Sequence, residues 1–171
     1  MSRGRGEATS TTRCGGVRTK ASCTGGSAPW RKTATSGFRP RRETCKDPRK
    51  TLAKIRELGA KASIAVNPDV PLEAIESLLP VIDMLLMMTV FPGFAGQAFI
   101  SDVLPKIEKA RAVINRERYP ILIEADGGIK ADNIGRVVKA GAEVIVSGSG
   151  IFKIPSYADT IRKMRTATTG V

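Results

Sequence analysis

Apolar positions after residue 47 recur in two alternating rhythms. Leu52, Ile55 and Leu58 keep a helical spacing behind Asp47, a candidate N-cap, and Pro48 at the first helical position, and Gly59 supplies the stop. The run over 62–66 reads as a strand, and Leu72, Ile75, Leu78 and Leu79 after Pro71 predict a second helix. The continuous apolar stretch 84–90 predicts a buried strand. Leu104, Ile107, Arg111 and Ile114 mark a longer helix with Ser101 as its expected cap. Residues 121–125 form the next predicted strand, and a helix from about Asp132 carries Ile134, Val137 and Val138 as far as Gly141. Residues 144–146 read as a strand, and Tyr157, Ile161 and Met164 as a closing helix. The predicted order is α-β-α-β-α-β-α-β-α.

Strands that are apolar on both faces and alternate with helices call for a parallel α/β sheet with right-handed crossovers, either open and doubly wound or closed as a βα barrel. Each strand runs into turn residues at its carboxyl end: Asn67-Pro68, Phe91-Pro92-Gly93, Asp126-Gly127-Gly128 and Gly148-Ser149-Gly150. In a parallel sheet these ends share one face, where α/β folds hold their ligands. No dinucleotide or P-loop fingerprint is present. The stretch from Gly93 through Phe94 and Ala95 to Gly96, the Gly127-Gly128 pair and the Gly148-Ser149-Gly150 turn offer backbone N–H groups, which suit phosphate; the plainer alternative is that these glycines only permit tight turns. Asp126 is the carboxylate placed for chemistry, as a general acid/base or a metal ligand, against the alternative of a cap or turn residue. Glu124 shares its strand face, but only Asp126 is expected to clear the rim. Met84, Met87 and Met88 are expected to pack the core, and Lys106, Lys109, Arg111, Arg116 and Arg118 to form a solvated helix face.

Composition divides the chain. Its net charge is +12, and residues 1–50 hold 13 Lys and Arg against 3 Asp and Glu, so the basicity belongs to the N-terminal part. The sequence contains no histidine, which excludes a Ser-His-Asp triad, an imidazole base and a His-ligated metal within this chain. Cys14, Cys23 and Cys45 show no metal-binding or redox spacing and are expected to be free thiols in a reducing compartment. The longest uncharged run, 84–101, is broken by Pro92, Gly93 and Gly96, so no transmembrane helix is expected, and the first thirty residues hold no signal-peptide core. Residues 1–42, with Val17, Trp30 and Phe38 as their sizeable apolar residues, are expected to be a disordered basic tail, and 43–171 a partial βα-barrel domain. For the tail, a transit peptide, a nucleic-acid arm, a surface tether and a sequence outside the natural reading frame are the competing readings, with nucleic acid ranked last. The location expected by default is cytoplasmic, with organellar import as the alternative.

The strings MTVFPGFAGQAFI, LPKI, EADGGI and AGAEVIVSGSGIF, with KDPRKTLAKIRELGAKASIAVNPDVPLE upstream, resemble the ribulose-phosphate 3-epimerase family over about residues 43–165. The resemblance implies a ribulose-phosphate-binding TIM (β/α)₈ barrel, here about its second half, strands five to eight. It implies an isomerase of the pentose phosphate pathway that interconverts D-ribulose 5-phosphate and D-xylulose 5-phosphate by metal-assisted proton transfer between two aspartates at C3. Asp126 matches the aspartate that both ligates the divalent metal (Zn, Fe, Mn or Co) and acts as acid/base. Gly93, Phe94, Ala95, Gly96, Asp126, Gly127, Gly128, Gly148 and Ser149 match its substrate and phosphate contacts, and Met88 a methionine beside the reacting carbons. Ala95 stands where glycine is usual, and Gly150 where alanine is usual. The family's first four strands, with a serine, two metal-binding histidines and the other catalytic aspartate, find no match here. The edges of strands five and eight are therefore expected to be open, free for a homo-oligomer or another pairing. The alternatives to a ketopentose phosphate epimerase are a non-catalytic phosphate-binding half-barrel and a truncated gene product.

Overall fold

The computed structural model describes residues 13–14, 17–20, 41–42, 45–94 and 96–169. Two short strands, β1 (Arg13–Cys14) and β2 (Val17–Lys20), precede helix α1 (Pro48–Glu57). Asp47 caps α1 as expected, its Oδ1 accepting the Lys50 N–H at 3.0 Å, and Gly59 turns the chain away at φ +77°. Strand β3 (Ser63–Val66) leads through two 3-10 turns into β4 (Met84–Met88), helix α2 (Leu104–Arg116) and β5 (Leu122–Asp126). Helix α3 (Ile134–Lys139), strand β6 (Val144–Val146), the single turn α4 (Ser149–Phe152) and helix α5 (Tyr157–Thr166) complete the chain.

The sheet order is β1-β2-β6-β5-β4-β3, parallel throughout except for the antiparallel β1–β2 hairpin. Because side chains alternate along a strand, the sheet has two faces. Ile64, Val66, Leu85, Met87, Ile123, Ala125 and Ile145 point into one hydrophobic core with Leu52 of α1, Ile107 of α2, Val137 of α3 and Met164 of α5. Ser63, Ala65, Met84, Leu86, Glu124 and Val144 occupy the opposite face and are buried as well. The expected packing role thus holds for Met84 and Met87, while Met88 is half-buried at the strand end. Cys45 is a free, half-buried thiol, 3.3 Å from the Thr51 hydroxyl. Among the described residues no helix is long and apolar enough to cross a membrane.

Several expectations are corrected. The helix after Pro71 is instead a pair of 3-10 turns, Leu72–Ala74 and Glu76–Val81, because Pro80 lacks an N–H, and Leu72, Ile75 and Leu78 at every third residue line up on a three-residue turn as well as on an α-helix. Ser101 does not cap α2; it opens a 3-10 turn, Ser101–Val103, that runs directly into the helix. The basic residues of α2 are not a uniformly solvated face. Lys106 Nζ donates to the carbonyls of Asn67, Pro68 and Val70 at 2.8, 2.9 and 2.8 Å, and Arg111 donates to Gly141 O and pairs with Glu143. Lys109 and Arg116 do lie at the surface, paired with Glu73 and Glu117. Tyr157 is half-exposed rather than inward, and its ring meets Phe152 edge to face at 5.6 Å between centroids.

The expectation of disorder over 1–42 concerns residues that mostly lie outside the described ones; those described within it are β1, β2 and Arg41–Arg42. The edges expected to be open are both contacted. Strand β2 lies parallel to β6, and at the other edge Arg41 bridges Ala65, with the Arg42 N–H donating to Ala65 O at 3.0 Å.

Candidate functional site

The carboxyl ends of β3 to β6 open on one face, and register places the key side chains there. Met88, Asp126 and Val146 are partners across β4, β5 and β6, so they form one row at the mouth. All three are half-buried, whereas Glu124, one pair of residues deeper on the same face, is only 1% exposed. Asp126 therefore is the carboxylate of its strand that reaches the rim, as alternation predicts. Its position, partly desolvated and facing the opening, suits a group that takes and returns a proton.

The turn beyond Asp126 is held by Thr89, a residue that no spacing or motif in the sequence marks out. Thr89 is fully buried; its N–H donates to Asp126 O at 2.8 Å, its hydroxyl to Gly127 O at 2.6 Å, and its own carbonyl accepts the Ile100 N–H at 2.9 Å. One side chain thus ties the end of β4 to the turn after β5. Glycine is required in that turn: Gly127 has φ +131° and a Cβ there would sit 2.6 Å from Val90 Cγ2, while Gly128 has φ +62° and a Cβ would sit 2.5 Å from the Phe99 amide nitrogen. Asn133 closes the same turn, its Nδ2 donating to Gly128 O at 3.1 Å and its Oδ1 accepting the Lys130 N–H at 2.8 Å. Ser147 then joins the turn after β5 to that after β6, its buried hydroxyl donating to Ile129 O at 2.7 Å.

The loop after β4 projects outward. Gly93, Phe94 and Gly96 are exposed, with Phe94 at 75%, and Ala95 lies outside the described residues. Gln97 folds the loop on itself, its Nε2 donating to Phe91 O at 2.7 Å and Phe94 O at 2.9 Å. Lys153, at the end of α4, reaches across to this loop, with Nζ 3.3 Å from where a Cβ on Gly96 would stand. Gly148 caps α4 and has open space where a side chain would project, and Ser149 begins the turn. The three glycine-bearing loops singled out from sequence therefore share the strand-end face with Asp126.

A divalent metal finds little to hold it. Among the described residues no group of three His, Cys, Asp or Glu side chains could ligate an ion, and the sequence has no histidine. One carboxylate, Asp126, does not fit the donor set that the family resemblance implies.

Comparison with known proteins shows the family. The family described as Ribulose-phosphate 3 epimerase matches residues 32–152. Among its relatives, a ribulose-phosphate 3-epimerase of Synechocystis sp. is 47% identical over 116 residues, covering 68% of this chain and 50% of the relative. A ribulose-phosphate 3-epimerase of Escherichia coli K12 is 41% identical over 116 residues, covering 68% of this chain and 52% of the relative. The chain thus spans about half the length of the curated relatives it matches. Among solved structures, 3-hexulose-6-phosphate synthase from Salmonella typhimurium aligns with a TM-score of 0.55 at 22% identity, over 76% of this chain and 60% of that one. Thiamine phosphate pyrophosphorylase from Pyrococcus furiosus aligns with a TM-score of 0.51 at 21% identity, over 77% and 58%. These likenesses show the fold, the parallel βα architecture of a TIM barrel, here with four successive parallel strands.

Proposed function

The chain belongs to the ribulose-phosphate 3-epimerase family, and from that premise we propose that its strand-end face binds a ketopentose phosphate and that Asp126 moves a proton at C3, in the interconversion of D-ribulose 5-phosphate and D-xylulose 5-phosphate. The observation that carries this reading is the half-buried carboxylate of Asp126 in one row with Met88, surrounded by the loops of Gly93 to Gly96, Gly127-Gly128 and Gly148-Ser149. C3 lies next to the C2 carbonyl, so removing its hydrogen gives an enediolate, and returning the proton to the opposite face inverts the centre. A carboxylate fixed at the rim by the β5 backbone has the chemistry for one of those two transfers. The peptide N–H groups of the glycine loops would take the phosphate, and the Met88 side chain would shield the reacting carbons from water. Inversion needs a second proton-transfer group on the other face of the sugar, so a full cycle calls on a group beyond Asp126.

The second reading is a half-barrel that binds the phosphate without turnover. The observation favouring it is the poor donor set for a metal among the described residues. Proton NMR in deuterium oxide separates the two readings, with D-ribulose 5-phosphate, added divalent metal, and the Asp126→Asn variant as control. Epimerisation predicts deuterium at C3 of both pentose phosphates. Exchange into D-ribulose 5-phosphate alone would mean that Asp126 works one face only. No exchange from a folded chain that still binds the sugar phosphate would favour the second reading, and exchange that survives in the variant would refute the role of Asp126.

A further inference from the structure

We propose that the β1–β2 hairpin is an intramolecular cap on the outer edge of β6, and that by occupying this edge it keeps the chain from pairing with a second copy of itself. The sheet grows from β3 to β6 by strands that each follow the last in sequence, and the next place beside β6 is filled not by a later segment but by residues near the N-terminus. The register is Arg18 with Val144, Thr19 with Ile145 and Lys20 with Val146.

Directions within the ladder can be worked out. The Thr89 N–H donates to Asp126 O at 2.8 Å, so Asp126 turns its backbone groups to β4 and, by alternation, Ala125 turns its own to β6; Ala125, partner of Ile145, bonds to Val144 and Val146, which leaves the N–H and C=O of Ile145 pointing outward, to β2. In a parallel pair a residue bonds to the two neighbours of its partner; Ile145, partner of Thr19, therefore bonds to Arg18 and Lys20, whose N–H and C=O meet β6. Without β2, the outward N–H and C=O of Ile145 would stand on an apolar, unpaired parallel edge, the kind of edge that recruits another chain. With β2 in place, the last strand of the sheet becomes β1, only two residues long, in a hairpin whose sequence carries Arg13, Arg18 and Lys20. Short, cationic edge strands resist further strand addition. At the far side of the sheet, the Arg41–Ala65 bridge contacts the β3 edge as well, so the same N-terminal region attends to both ends.

The test is Lys20→Pro in the full chain, because proline removes the N–H that faces β6 and leaves the residues of β3 to β6 unchanged. Size-exclusion chromatography with light scattering should give a monomer for the parent chain and a concentration-dependent dimer or larger species for the variant. Hydrogen exchange should show the Ile145 amide losing at least tenfold protection while those of Val146 and Leu85 keep theirs. A peptide of residues 11–22 added to the variant should restore the monomer, which general unfolding would not allow. A parent chain that is already a dimer, a variant that stays monomeric, or association that the peptide does not reverse would each overturn the proposal.

Discussion

Gly150→Ala tests how tightly the turns after β5 and β6 are locked together. Gly150 lies within α4, and its φ is not in the left-handed region, so on helix propensity alone alanine should stabilise by about 1 kcal/mol. The surroundings reverse the sign. A Cβ at Gly150 would stand 2.4 Å from the Ile129 carbonyl oxygen and 2.5 Å from Ser147 Oγ, inside the hydrogen bond that joins those two atoms at 2.7 Å. Ile129 O is main chain and cannot swing aside, so the turn must shift or the hydrogen bond must break. Overpacking of this kind costs about 1–3 kcal/mol, and the loss of a buried hydrogen bond about 1 kcal/mol. The expected result is a net destabilisation of about 1–3 kcal/mol, read by urea unfolding as a fall in midpoint at constant slope. Ser147→Ala alone should cost about 1 kcal/mol, and because it removes one of the two obstructing atoms, the double variant should be less destabilised than the sum by about 0.5 kcal/mol or more. A neutral or stabilising Gly150→Ala would refute the reasoning, and so would strict additivity with Ser147→Ala. The position matters because alanine is usual there in the family that the motif resembles; the serine hydroxyl at 147 takes the space such a methyl group would need.

Three further outcomes follow from the same geometry. Thr89→Val should lower stability by about 1–3 kcal/mol by leaving the Gly127 carbonyl without its buried donor, and Thr89→Ser should recover more than half of that loss in the same urea titration. Lys106→Met keeps the length of the side chain but removes three donors, so the amides of Asp69 and Val70 should exchange at least tenfold faster by mass spectrometry while those of β4 are unchanged. The Ser156 hydroxyl and, next, the charge of Arg162 hold the Asp159 carboxyl below its ordinary value; this stabilisation is present above the unfolded value of about 3.9 and is lost as pH falls through the lower folded one, so Asp159→Asn should flatten the unfolding curve below about pH 4 and leave pH 6 to 8 unchanged in slope.

The parallel sheet and the loop face were legible because they rest on local signals. Apolar runs ending in Asn67-Pro68, Pro92-Gly93, Gly127-Gly128 and Gly148 mark strands and their carboxyl ends without knowledge of neighbours, and the Glu124–Asp126 alternation already separates a buried carboxylate from one at the rim. The helix after Pro71 was misread because a three-residue spacing fits two helix types and Pro80 decides between them only through the backbone. Lys106 and Arg111 look like solvated charges on a helix until packing brings carbonyls from residues some thirty or more positions away against them. Thr89 and Ser147 were overlooked for a related reason: a short hydroxyl side chain just beyond an apolar strand carries no signature, and its acceptor belongs to another loop. Strand β2 was beyond reach, since VRTK shows no alternation and its partner is β6, far along the chain.

That last pairing has a consequence in time. Ribosomes add residues in order, and Lys20 leaves the exit tunnel 126 residues ahead of its partner Val146. At synthesis rates of about 5–20 residues per second, that is a wait of about 6–25 s. Strands β4, β5 and β6 can each dock on a predecessor already made, whereas β2 must remain without its partner β6 until nearly all the rest has appeared. Closing so long a loop also costs more entropy than joining β4 to β5, by about 1 kcal/mol. The sheet would therefore assemble in sequence order from its middle and be sealed by its oldest residues, so that translation pausing late in the message, rather than early, would leave the growing chain with a naked β6 edge.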